Sequence, residues 1–174
     1  MKNSTSRPLA IGLTILGMLA RLVPHAPNFT PVGGVSLFAG GRLTGWKAYL
    51  LPLVLMLVTD PLVGGYSFAT PFVYASFLVY VWIGSRLRAT QSPLAIGAAA
   101  VAGSVQFFVI TNFGVWLNPA ATYAHNAAGL MACYVAAIPF YGRTLVADLF
   151  YSAALYGAYA LLSRRVAVRN RTAA

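Results

Sequence analysis

The chain alternates between long apolar runs and short interruptions that are rich in proline, glycine or charge. Apolar runs are the primary signal for buried or membrane-embedded elements, and proline, glycine and charge mark their ends. The runs predict an all-α protein with six helical segments, at about residues 8–24, 29–41, 47–63, 70–87, 93–117 and 143–163. Most of them approach the roughly 20 residues that a helix needs to cross a bilayer. The second is shorter, because thirteen helical residues cover only about 20 Å.

The composition indicates that these helices are membrane spans. Hydrophobic residues make up 59% of the 174 positions and charged residues only 8%, whereas an average soluble domain is about 25% charged. So few charges could not cover the surface of a soluble protein of this size. The composition therefore excludes a soluble enzyme, a disordered tail and a secreted disulfide scaffold. It predicts a single integral membrane domain over residues 1–174.

The basic residues predict the orientation of the spans. The chain has 12 Lys+Arg against 2 Asp+Glu, and membrane proteins concentrate Lys and Arg in cytoplasmic loops. If all six segments cross, only Arg21 and Arg143 lie on the outer side. The inner side then carries the other ten: Lys2, Arg7, Arg42, Lys47, Arg86, Arg88, Arg164, Arg165, Arg169 and Arg171. We therefore predict six transmembrane helices with both termini cytoplasmic, and no nucleic-acid partner.

Three outer segments follow from this topology, at residues 24–31, 61–71 and 118–141. The first contains three prolines, which fix φ and remove backbone donors, so it is predicted to be a rigid, non-helical cap. The third contains its own apolar run at 129–137, which is too short to span. That run is predicted to form a separate helix along the outer interface or dipping into it.

Ionisable groups inside spans are costly, and each is therefore a candidate for a functional site. The only two acids, Asp60 and Asp148, lie thirteen residues after Lys47 and sixteen before Arg164. Both therefore reach the outer third of the membrane, roughly 20 and 24 Å from the inner face. Tyr151 follows Asp148 at a spacing that puts both on one inward-facing helix face.

These residues predict a polar pocket that is open to the outer side and shared by both acids. Its candidate substrate-binding residues are Arg21, His25, Asn28, Asp60, Asn112, Arg143, Asp148 and Tyr151. A structural alternative stays open, in which Arg21 or Arg143 pairs with an acid and holds helices together. No metal-site motif of the H-E-x-x-H type and no phosphate-binding loop is present, and the sequence identifies no cofactor.

Arg21 to Val32 reads R-L-V-P-H-A-P-N-F-T-P-V, and Thr59-Asp60, Thr111 to Trp116 and Ala147 to Leu149 follow later. With these segments the chain resembles a family of uncharacterised small bacterial six-helix membrane proteins with an R-x-x-P-H-x-P-N-F-T-P-V signature. That family is similar to the substrate-binding S-components of energy-coupling-factor vitamin transporters. The resemblance implies an S-component-like fold in the bacterial cytoplasmic (inner) membrane, with a vitamin-like solute bound from the outer side. It also implies an energy-coupling membrane module or other membrane subunits as partners.

S-components carry small residues at four-residue spacing on the first helix, where the coupling module docks. The first span here offers Ala10, Gly12, Gly17 and Ala20, without a clean A-x-x-x-A. The leading hypothesis is a substrate-binding membrane protein or transporter, not an enzyme, for a small polar solute. The alternatives are a structural subunit of a larger membrane complex and a small membrane enzyme that uses Asp60, Asp148 and His25.

Overall fold

The computed structural model describes residues 6–88 and 90–172, and these residues are all-α, with six α-helices and no strand. The helices are α1 (Ser6–Leu19, followed by a 3-10 turn at Ala20–Leu22), α2 (Val32–Arg42), α3 (Lys47–Val63), α4 (Thr70–Ser85), α5 (Pro93–Leu117) and α6 (Ala127–Thr172). The first five lie close to the segments predicted from the sequence, and the all-α class is confirmed.

The last helix differs from the prediction. We expected a span at 143–163 and a separate interfacial helix at 129–137, but α6 runs without a break for 46 residues and contains Pro139. It begins after Asn126, whose side-chain Oδ1 accepts the N–H of Gly129 at 2.9 Å, as a helix N-cap does. The Tyr134 hydroxyl donates to the carbonyl of Val109 on α5 at 2.8 Å. The apolar run is therefore the first part of α6, packed along the end of α5.

The centre of the bundle is α2. Each residue from position 31 to 41 is buried, and α2 contacts each of the other five helices. A helix that is apolar all round rather than on one face is expected to be buried. Glycines allow its close packing on α4: a Cβ at Gly40 would press on the backbone of Val81, and one at Gly84 on the backbone of Leu37.

Backbone groups at both ends of α2 form hydrogen bonds with side chains, which come from α2 itself and from other parts of the chain. With 11 residues, α2 is only about 16 Å long. Its N-terminal amides face Asp148 of α6, which accepts a hydrogen bond from the N–H of Gly34. At its C-terminus, Arg88 Nε donates to the carbonyl of Gly40 at 3.3 Å, and Arg42 Nη1 donates to the carbonyl of Gly41 at 3.2 Å. An acid at the N-terminus and two arginines at the C-terminus also complement the helix dipole.

Basic residues meet at one end of the bundle. Arg7 Nη2 donates to Thr44 Oγ1 at 2.8 Å, and Arg42 donates to the carbonyl of Thr90 at 3.2 Å. Arg42 and Arg164 line the same cavity. These contacts join the starts of α1, α3 and α5 to the ends of α2, α4 and α6, so successive helices alternate in direction. We call this end the basic end, and the opposite one the far end.

Within the described residues, two helices are long and apolar enough to cross a membrane. They are α5 and the part of α6 from Ala127 to Val166. The 16-residue helix α4 is apolar but shorter.

Candidate functional site

Asp60 on α3 belongs to a cluster that joins three helical elements. Its Oδ1 pairs with Arg21 Nη2 at 2.8 Å, and its Oδ2 accepts the hydroxyl of Tyr74 on α4 at 2.6 Å. Arg21 also donates to Thr59 Oγ1 at 3.0 Å. We call Arg21, Thr59, Asp60 and Tyr74 the Asp60 cluster. The Arg21–Asp60 ion pair is of the kind described by the structural alternative, because it holds the end of α1 against α3.

Asp148 on α6 belongs to a second cluster, in which hydrogen-bond donors take the place of a basic partner. Its Oδ2 accepts a hydrogen bond from the hydroxyl of Tyr80 and another from Ser104 Oγ at 2.6 Å. The N–H of Gly34 is the third donor, and Asp148 is only 2% exposed. We call Gly34, Tyr80, Ser104 and Asp148 the Asp148 cluster. Among the described residues, no Lys or Arg forms an ion pair with this carboxyl group.

The two clusters have no residue in common. α4 contributes a tyrosine to each, Tyr74 to the Asp60 cluster and Tyr80 to the Asp148 cluster. The described contacts therefore assign the two acids to separate hydrogen-bonded clusters, and a pocket shared by both stays a prediction. A direct role of either acid in solute binding stays a prediction.

A cavity of about 330 Å³ lies at the far end, between α4, α5, α6 and the proline-rich segment. Two of the predicted site residues, Asn28 and Asn112, line it. Its other polar lining residues are Thr111, Tyr141 and Thr144, and the rings of Phe107, Phe108 and Phe140 form part of its wall. We call it the far cavity. No residue that lines it carries a charge, and neither Asp60 nor Asp148 is among them.

Three polar side chains in the far cavity retain hydrogen-bonding capacity. Asn112 Nδ2 donates to the carbonyl of Phe108 at 2.8 Å, which leaves its Oδ1 as an acceptor. Within the described part of the chain, the Asn28 amide and the Tyr141 hydroxyl have no hydrogen-bond partner. Asn28, Asn112 and Tyr141 are therefore the groups that could bind a polar solute. The hydroxyls of Thr111 and Thr144 already donate to carbonyls of their own helices.

The backbone around Asn28 explains how this side chain reaches the cavity. Asn28 has φ 65°, which makes it the one non-glycine residue with positive φ in the described ranges. The Phe29 N–H donates to the carbonyl of Ala26 at 3.0 Å and closes a turn, and asparagine tolerates this left-handed conformation better than most residues. The segment from 23 to 31 is non-helical, as the sequence predicted.

The structure does not bring the remaining predicted residues to the far cavity. His25 is exposed, and its Nδ1 lies 2.6 Å from the carbonyl oxygen of Val23. Arg143 is also exposed and forms no ion pair in the described ranges. The ring of Tyr151 packs against Phe29, with centroids 5.8 Å apart.

Cys133 does not belong to a group of metal-ligating side chains in the described residues. Cys133 is buried, with its Sγ 3.5 Å from the carbonyl oxygen of Asn112. Over residues 6–88 and 90–172, no three His, Cys, Asp or Glu side chains form a group that could hold a metal ion.

The sequence reasoning missed Tyr74, Tyr80, Ser104 and Tyr141. Tyr74, Tyr80 and Ser104 lie in apolar runs and Tyr141 ends the third outer segment, and Tyr151 was the one hydroxyl residue named as a site candidate. A hydroxyl inside a span also needs a partner, because lipid offers none. This requirement is the signal that could have found them.

Comparison with known proteins places the chain in a family without assigning it an activity. The chain belongs to a family described as a family of unknown function (DUF6580), whose profile matches residues 2–171. No curated protein and no solved structure matches it. Because the match covers nearly the whole chain, both clusters and the far cavity lie within the region that defines the family.

Proposed function

We propose that this DUF6580 protein is a six-span membrane protein that binds a small, uncharged, vitamin-like solute in the far cavity, from the outer side of the bacterial cytoplasmic membrane. The observation that carries the proposal is the far cavity itself, which combines unpartnered amide and hydroxyl groups with aromatic walls and has no charge. The resemblance to S-components supports the same function.

Three features support a six-span arrangement. The helices alternate in direction, and basic side chains meet at one end, as the positive-inside rule requires. Large apolar side chains on α3 face outward, with Leu57 54%, Val58 63% and Leu62 71% exposed. Exposed apolar faces of this size are unfavourable in water and suit contact with lipid. The short α2 is enclosed by the other helices, so its length need not match the bilayer.

The lining of the far cavity favours one class of solute. Its volume of about 330 Å³ lies at the lower end of the roughly 300–1,000 Å³ of small-molecule sites. Amide and hydroxyl groups can pair with the polar edge of a planar heterocycle, while Phe107, Phe108 and Phe140 offer ring surfaces. A charged solute would be left without a counter-charge at this depth. An uncharged heterocycle therefore fits better than an ion.

In this proposal the two acidic clusters brace the helices that form the cavity. The Asp60 cluster joins α3 to α4, and the Asp148 cluster joins α6 to α2, α4 and α5. Energy for uptake would come from a separate membrane module, since the sequence has no nucleotide-binding loop.

The test is to identify small molecules that co-purify with the gently solubilised protein by mass spectrometry after denaturation. The decisive variant is Tyr141→Phe, which removes a cavity hydroxyl that has no partner in the described residues. The matched control is Tyr134→Phe. Tyr134 is on the same helix as Tyr141 but outside the cavity, and its hydroxyl donates to the carbonyl of Val109 on α5. We expect an uncharged heterocycle in the wild type, about tenfold less of it in Tyr141→Phe, and wild-type amounts in the control.

Two outcomes would contradict the proposal. Equal amounts of solute in both variants would show that removing the Tyr141 hydroxyl has no effect of its own, which contradicts its proposed contact with the solute. Purification without any bound small molecule, but with a stable larger partner, would favour the alternative of a structural subunit in a membrane complex.

A further inference from the structure

A second cavity, of about 550 Å³, lies at the basic end between α5 and α6. These are the two helices that are long and apolar enough to span a membrane. Two arginines line the cavity, Arg42 and Arg164, and no acid does. We call it the inner cavity. Its charge makes it a different kind of site from the uncharged far cavity.

The inner cavity contains buried donors that lack a partner. Ser152 is 1% exposed, and its Oγ has no hydrogen-bond partner in the described part of the protein. The Nε of Arg42 is likewise buried and unpaired. Ser152 lies against Gly34 near the start of α2, whereas Arg42 is the last residue of that helix, about 12 Å further along, so one small group does not bind both atoms. Arg42 is the one of the two that lies at the basic end, and because a guanidinium only donates, a ligand that binds there is an acceptor.

The charges of the two arginines indicate which class of hydrogen-bond acceptor the inner cavity binds. The remaining guanidinium nitrogens of Arg42 donate to backbone carbonyls, including those of Leu87 and Thr90, and these carbonyls do not neutralise its positive charge. Arg164 adds a second charge to the same lining. Arginine side chains suit phosphate oxygens, which accept several charge-assisted hydrogen bonds at once.

The other side of the inner cavity is apolar and open. A Cβ at Gly97 or Gly157 would meet no atom within 4 Å, and Leu149 and Ala153 are exposed beside them. Small residues on facing helices leave a groove that an acyl chain can fill. The cavity thus pairs a basic polar end with an apolar channel that reaches the outside of the helix pair.

We propose that the inner cavity binds the phosphate group of an anionic phospholipid. Arg42 and Arg164 attract the phosphate at the basic end, and an acyl chain lies along Gly97 and Gly157. Basic pockets between spans on the cytoplasmic side are suited to such headgroups. This site is independent of the solute proposed for the far cavity, and either proposal can fail without the other.

Native mass spectrometry of the detergent-purified, delipidated chain tests this site. Phosphatidylglycerol, phosphatidylcholine and inorganic phosphate are added separately. Phosphatidylglycerol is expected to bind about tenfold or more tightly than phosphatidylcholine, whose choline cancels the phosphate charge. Inorganic phosphate is expected to bind much more weakly, because it gains nothing from the apolar channel.

Four variants locate the binding. Gly157→Leu fills the channel, and Arg164→Gln removes a cavity charge. Each should weaken phosphatidylglycerol binding about tenfold. The matched controls are Gly12→Leu, at a helical glycine with equally open surroundings on α1, and Arg86→Gln, at an exposed arginine that stacks on Trp82. Both controls should bind as the wild type does.

Each remaining outcome has a definite meaning. If Gly157→Leu lowers the melting temperature, Gly97→Leu takes its place, since its surroundings are open too. Equal binding of the two lipids, or wild-type binding by Arg164→Gln together with a folded channel-filling variant, would overturn the proposal. Inorganic phosphate that binds as tightly as phosphatidylglycerol would assign the cavity to a soluble phosphate compound and reject the lipid.

Discussion

The carboxyl groups of Asp60 and Asp148 have different kinds of partners inside this bundle. Asp60 is paired with Arg21, so removing either partner would leave a charge in a largely buried place. Asp148 depends instead on Tyr80, Ser104 and the backbone of α2. The sequence identified both acids as unusual. It did not identify the hydroxyl partners, because these look like ordinary members of apolar runs until α4 and α5 are placed beside α6.

At Asn28, the side chain and the backbone conformation can be tested separately. Asn28→Gly removes the amide but tolerates φ 65°, so we expect the melting temperature of the wild type and a loss of bound solute. Asn28→Ala removes the same amide and adds about 1–2 kcal/mol of backbone strain. It should therefore lose both solute and thermal stability. Thermal unfolding and solute occupancy, measured on each purified variant, separate the two effects.

A glycine variant that keeps wild-type solute occupancy would mean that the Asn28 amide does not touch the solute. An alanine variant as stable as the glycine variant would contradict the strain argument instead.

On the scale of the helices, α2 depends on glycines that leave room for groups from its neighbours. A Cβ at Gly33 would overlap Asp148 Oδ1, so Gly33→Ala must displace this carboxyl group from its donors. We expect a loss of about 1–3 kcal/mol in the free energy of unfolding, as for overpacking or a buried group left unpaired. Denaturant or thermal unfolding in detergent measures this loss.

The matched control is Gly97→Ala, at a helical glycine with open surroundings. Alanine favours a helix over glycine by about 1 kcal/mol, so this variant should be as stable as the wild type or slightly more stable. Equal stability of Gly33→Ala and Gly97→Ala would show that the Asp148 carboxyl group can move at little cost.

The helices also show which of their boundaries can be predicted from a few neighbouring residues in the sequence. Ser92 accepts from the N–H of Ala95, and Pro93 begins α5; such start signals can be recognised from a few residues. The length of α6 could not be predicted in this way. The run at 129–137 is too short to span, which suggested a separate helix. The continuous helix depends on contacts between Tyr134 and α5, which no local pattern contains.

On the scale of the whole molecule, one short helix is enclosed by five others, and its ends are satisfied by an acid and two arginines. The charge pattern predicted the grouping of basic residues at one end. It did not predict that α2 is the centre, because the residues of one apolar segment do not specify which helices will pack around it. The small residues on α1 have different surroundings. Gly17 packs against Val35 inside the bundle, whereas Gly12 has open surroundings.

The most direct test of an outward-facing solute cavity is thiol labelling in intact cells. Thr144→Cys places a thiol in the far cavity, and Thr44→Cys places one at the basic end, where Thr44 contacts Arg7. Both are made in a Cys133→Ser background and treated with a membrane-impermeant maleimide. The small-molecule fraction released from the wild-type protein serves as the competitor.

We predict that position 144 is labelled from the outside and that the released fraction slows this labelling, while position 44 is labelled only after the cells are permeabilised. Labelling of position 44 in intact cells, labelling of position 144 only after permeabilisation, or labelling of position 144 at the same rate with and without the released fraction would contradict the account.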